Sequence, residues 1–144
     1  MSGQTLSFWV IQGPGWLLLL YLVIAQGLSA LDYQLGVRMG TQEPEDRITK
    51  VGVAFFWGIA VADLIFYIPL LCAGLIGHWL GTEWGALLLA AALGITIYWP
   101  PMCLATVRRA RRMQAWSLPK ERDYWIVLPL IAGWAALSLL LLLL

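Results

Sequence analysis

Asp63 is the only acid set inside an apolar run of this chain, and the residues at its depth are those that could serve a cation or proton site. Counting to the middle of each apolar run puts Tyr21, Asp63, Thr96 and Trp134 at one level, with Tyr67 one turn and Tyr98 two residues away. A carboxyl group at mid-bilayer costs about 2.5 to 3.5 kcal/mol, so it faces a protein interior, a partner or water. Pro69, Pro100 and Pro101 lack the N–H that would bond the carbonyls of Ile65, Thr96 and Ile97. Freed carbonyls beside a carboxyl are what transporters with broken helices use to hold a cation. Two readings follow. Asp63 is a coupling or binding group, or in its protonated form it hydrogen-bonds a freed carbonyl or Thr96 and acts as interhelical glue.

Arg108, Arg109, Arg111 and Arg112 put four cations on one turn beside the third apolar run. Each gains about 1 kcal/mol near an anionic leaflet, so the group is a candidate contact for acidic lipid headgroups. The alternative is a stop signal that fixes orientation. Trp9, Trp16, Trp79 and Trp84 gather toward one membrane face and Tyr33, Trp116, Tyr124 and Trp125 toward the other, the pattern of an aromatic belt. Trp99 and Trp134 lie deeper, as packing residues or as walls of a lipid or quinone-like pocket.

His78 and Glu83 flank a short turn, but a zinc site needs three or four ligands. The single His excludes a bis-His haem within one subunit, and no Ser, His and Asp set suits nucleophilic catalysis. No catalytic residue, metal or cofactor is therefore expected. Cys72 and Cys103 differ in depth by roughly 20 Å at 1.5 Å per residue, too far for a disulfide.

The elements that must hold these groups are four apolar runs, Phe8–Leu31, Val51–Gly77, Trp84–Val107 and Tyr124–Leu144. Each is long enough for a hydrocarbon core of about 30 Å. With 61% hydrophobic and 12% charged residues, the chain is one integral membrane domain, residues 1–144, and an all-α, four-helix transmembrane bundle. All nine Lys and Arg residues fall in the first and third connections. The positive-inside rule makes residues 32–50 and 108–123 cytoplasmic and both termini non-cytoplasmic, in a cell (inner) membrane. The first run has no cation before it and is too long for a secretory signal, so it is read as a mature helix. The basic loop beside the membrane carries no base-reading motif, and no nucleic-acid partner is expected.

Pro44, Glu45 and Asp46 read as a helix start, with Glu43–Arg47 and Asp46–Lys50 as supporting i,i+4 pairs. Ser117, Pro119 and the charged residues behind them open the fourth helix. Ala54, Gly58 and Ala62, against Ala86, Ala90 and Gly94, form small-residue stripes that predict a tight antiparallel pair of the second and third helices.

The chain is similar in size to small multidrug transporters, but the first helix lacks the acid those proteins carry there. The Arg and Glu set of membrane-bound glutathione-transferase relatives and the outer-loop cysteine pairs of disulfide-generating four-helix proteins are also missing. The leading expectation is a non-enzymatic membrane protein acting through helix contacts, an accessory subunit or assembly factor with a membrane protein partner or as a homo-oligomer. The alternatives are a small proton- or cation-coupled transporter using Asp63 and, third, a lipid- or quinone-binding membrane enzyme.

Overall fold

The computed structural model describes residues 6–112, 117–118 and 120–144, and every regular element among them is helical. Helix α1 spans Leu6–Leu31, the short α2 Tyr33–Met39, α3 Glu45–Ala62, α4 Ile68–Trp79, α5 Glu83–Ala110 and α6 Glu121–Leu143. A π-helical stretch, Asp63–Tyr67, joins α3 to α4, so the two form a single long span. Four spans are long and apolar enough to cross a membrane: α1, α3 through α4, α5 and α6. The four apolar runs lie inside them, apart from Leu144. Pro119 of the expected helix start and Trp116 of the expected aromatic belt lie outside the described residues.

The second span starts where Pro44 predicts it, with Glu45 and Asp46 in the first turn. It is then interrupted. Thr49 has φ 67° and ψ 162°, a region almost reserved for glycine that costs on the order of 1–3 kcal/mol. Its hydroxyl accepts a bond from the Gly52 N–H at 3.4 Å, so Thr49 caps the membrane-length part of the helix. The break falls between Asp46 and Lys50 and removes the helical spacing their expected pairing needs. Glu43 instead turns inward and is buried, while Arg47 pairs with the neighbouring Asp46 at 3.6 Å.

Helices α4 and α5 form the expected antiparallel pair, through different residues. The turn between them places Gly81 at φ 68°, and Thr82 caps α5 by accepting from the Gly85 N–H at 3.2 Å. The Thr82 hydroxyl also donates to Gly77 O at 3.0 Å. Beside this turn the backbones of Gly77 and Gly85 touch, leaving no room for a Cβ on either. A Cβ on Gly74 would stand 2.7 Å from the backbone of Leu89. Gly58 and Gly94 of the anticipated stripes have nothing within 4 Å of a Cβ and are exposed. A short connection forces closest approach next to itself, and the glycines nearest the turn take the contact.

Helix α1 packs on α3 and α4, and α6 packs on α5 and closes back onto α1. The core joins Leu18, Leu19 and Leu22 of α1 with Leu71 and Leu75 of α4, Leu89 and Leu93 of α5 and Ala135 of α6. At the other end from Gly81, the two cation-bearing connections dock together. The Ser117 N–H donates to Arg47 O at 2.8 Å and Lys120 Nζ to Gly40 O at 2.6 Å, while within the first connection the Tyr33 hydroxyl donates to Glu43 O at 2.8 Å. Both cysteines are free, and they lie on separate spans.

Gly77→Ala must push two backbones apart, so it should destabilise the protein by about 1–3 kcal/mol, read as a lower melting temperature in detergent. Gly94→Ala enters open space and should leave the melting temperature unchanged or higher.

Candidate functional site

The π-helical stretch opens on Asp63, where the backbone N–H of Ile68 donates to Asp63 O across five residues instead of four. Pro69 explains the defect. It cannot donate to Ile65, and a one-residue widening lets the chain pass the missing bond without leaving the helix. The same widening sets the half-buried Asp63 side chain toward α1, where Gln26 Nε2 donates to Asp63 Oδ2 at 2.8 Å. Gln26 is a late polar residue in an apolar run. Its role becomes visible only when the antiparallel register of the first two spans is known.

One turn on, Tyr67 is buried and its hydroxyl lies 2.6 Å from Thr96 Oγ1 on α5. Thr96 spends its own proton on the carbonyl of Ala92 at 2.8 Å, so Tyr67 donates in the contact between them. The order Tyr67 to Thr96 to Ala92 ties the second span to the third. Trp99 sits beside the Tyr67 hydroxyl with its buried Nε1 outside hydrogen-bond geometry.

Trp134 makes the corresponding tie from the fourth span to the first. Its Nε1 donates at 2.8 Å to the carbonyl of Val10. That carbonyl is left open because Pro14 stands four residues on, inside α1, with no N–H to give. Trp134 thus engages α1 eleven residues before Tyr21, about 16 Å along the helix axis. Tyr21 and Tyr98 are 52% and 68% exposed, so both point to the outer surface of the bundle. The six centrally counted residues therefore do not converge: Asp63 bonds Gln26, Tyr67 meets Thr96, Trp134 lies elsewhere, and two tyrosines face outward.

A polar cluster not anticipated from the sequence centres on Gln12, which is fully buried. Its Nε2 lies 3.1 Å from Leu75 O and 2.8 Å from His78 Nδ1, and its Oε1 accepts from Trp16 Nε1 at 2.8 Å. With the amide donating, His78 Nδ1 is the acceptor and its proton sits on Nε2. Phe8 stacks on the imidazole at 5.4 Å. In sequence, Gln12 beside Gly13 and Pro14 reads as a flexible helix opening; in space it joins α1 to α4. Among the described residues, no group of three or more His, Cys, Asp and Glu side chains is placed to hold a metal.

Comparison with protein-family models, curated proteins and solved structures gives no match.

At the basic end the four arginines separate. Arg111 forms an ion pair with Glu121, and its guanidinium carbon lies 5.6 Å from the centre of the Trp125 ring. Arg108, Arg109 and Arg112 have no carboxylate within ion-pair distance among the described residues. Glu43, also at this end, is 4% exposed. Burial raises its carboxyl above the usual range, a hydrogen bond from Tyr124 and the charge of Lys120 oppose that, and Asp123 adds to it.

Because the folded-state value is raised, the contribution of Glu43 is fully present below the ordinary glutamate range and is lost as pH rises through the raised value. Glu43→Gln keeps an acceptor for Tyr124 and has no charge to bury. Its melting temperature should match the parent near pH 4 and exceed it at pH 7 to 8. An offset of equal size at every pH would contradict this account.

Proposed function

We propose that the protein is an integral membrane protein acting through helix contacts, as an accessory subunit or assembly factor of a membrane complex. The support for this reading is the uncovered face of α3. Ala54, Gly58 and Ala62 repeat at helical spacing, and all three are exposed, because α3 packs chiefly against α1 while α4 takes the contact with α5. Small residues at this spacing let a second helix approach closely in lipid, where packing rather than hydrophobicity drives association. The occupant in this reading is a transmembrane helix, from a partner or from a second copy. The placement proposed is a cell (inner) membrane, with residues 32–50 and 108–123 cytoplasmic and both termini on the far side. The docking of the two cation-bearing connections at one end supports that orientation, since cations resist translocation.

The polar groups inside the spans favour a scaffold over a pathway. Asp63, Thr96, Tyr67 and Trp134 are each used in a hydrogen bond between spans. Such bonds contribute on average about 0.6 kcal/mol, up to about 1.7.

A second reading, a small proton- or cation-coupled transporter, is supported by one observation: Asp63 opens the π-helical stretch, and π-bulges recur at functional sites. It stands only if the reconstituted protein carries a flux that needs the carboxyl group.

Phe55 flanks the stripe and is exposed, so a photoreactive phenylalanine analogue fits there without disturbing the core. In native membranes it should give one dominant adduct of defined mass, lost in Gly58→Leu. The same probe at the exposed Leu130 of α6 should give none. Lipid adducts alone at Phe55, or an adduct indifferent to Gly58→Leu, would remove the helix-contact reading.

A further inference from the structure

At the basic end, α5 and α6 enclose an open groove of about 480 Å³ lined by Leu104, Ala105, Arg108, Arg109, Arg112 and Trp125. That volume lies within the range of about 300–1,000 Å³ typical of small-ligand sites. We propose that this groove binds the phosphate headgroup of an anionic phospholipid, with Arg108, Arg109 and Arg112 on the phosphate and Leu104, Ala105 and Trp125 along the glycerol and upper acyl chain.

Three observations carry the assignment. The first is the sorting of the arginines. Arg111, next to Arg112 and two residues after Arg109, is neutralised by Glu121, whereas the three groove arginines are exposed and face no carboxylate among the described residues. Guanidinium groups present planar forks that match phosphate oxygens, and three of them suit a ligand with more than one acceptor.

The second is the wall. Leu104 and Ala105 precede Arg108 and Arg109 by one turn on α5, so the groove passes from apolar to cationic along the helix axis. That gradient follows the change from acyl chain to headgroup at a bilayer surface. A free phosphate ion has no use for the apolar half.

The third is rigidity. Trp125 is held on both sides, its Nε1 donating to Glu121 Oε1 at 3.1 Å while the Arg111 guanidinium sits over its ring. Arg111 and Glu121 therefore position the far wall and do not themselves line the groove. The site rests on the membrane-spanning fold and is independent of the helix-contact reading.

The test uses the purified full chain and native mass spectrometry with added phosphatidylglycerol, phosphatidylcholine or inorganic phosphate. Phosphatidylglycerol should be retained over phosphatidylcholine, and Arg108→Gln/Arg109→Gln/Arg112→Gln should weaken its binding at least about tenfold. Arg38→Gln/Lys50→Gln/Arg122→Gln, which removes three exposed cations of the same end outside the groove, should not. Should the glutamine triple fail to fold, Arg108→Lys/Arg109→Lys/Arg112→Lys decides: loss of the forks should weaken retention several-fold at constant charge. Equal weakening by both glutamine triples, or full retention by the lysine triple, would mean a diffuse electrostatic surface and overturn the proposal. So would displacement of the lipid by millimolar phosphate, which would make the site one for the free ion.

Discussion

Inside an apolar layer a polar group has no water to turn to, and each hydrogen bond missing from a helix must be replaced from within the protein. This constraint organises the molecule. Pro14 leaves the carbonyl of Val10 without its helical donor, and Trp134 of the last span supplies one. Pro69 removes another donor, the backbone answers by widening at Asp63, and the side chain there meets Gln26. Thr96 bonds back to Ala92 and receives Tyr67. The defects at Pro14 and Pro69 are thus each accompanied by a tie between spans, and these ties join the first span to the fourth and to the second.

The glycine contact between α4 and α5 plays the complementary part. Without a hydrophobic driving force in lipid, two helices hold together by how closely their backbones can come. Gly74, Gly77 and Gly85 give that closeness beside the turn. The rest of the second span is then free to lean on α1 and to leave its own small-residue face uncovered. The fold and the proposed contact surface are in this sense one consequence: tight pairing at one end of the span opens the other.

Much of this was legible in the residues. The four spans, the start at Pro44 and the pairing of the middle helices follow from run length, capping chemistry and the short Gly81 turn. The choice of contact glycines was not legible, because two sets at similar spacing compete and only the distance from the turn decides. Depth counted from run centres misplaced Trp134, since the spans differ in length and Trp134 reaches α1 near its start. Gln12 and Gln26 are not legible as partners in the sequence, because a lone amide carries no pattern until its neighbour across the bundle is known. The i,i+4 spacing of Glu43 and Arg47 is not helical spacing, because the helix begins at Glu45 and Glu43 lies before its Pro44 cap. At the basic end, a count of charges makes four equivalent arginines, whereas Glu121 withdraws one of them into an ion pair.

The proposed function turns on Asp63 as a hydrogen-bond acceptor joining two spans, and not as a group that gains and loses a proton. Asn at this position keeps the acceptor oxygen for Gln26 and removes the titration. The direct measurement is proton uptake and cation flux in proteoliposomes holding the parent or Asp63→Asn, with melting temperature followed on the same samples. The account predicts that the two proteins melt together and that neither raises flux above protein-free vesicles. A flux carried by the parent and abolished in a stably folded Asp63→Asn would contradict it.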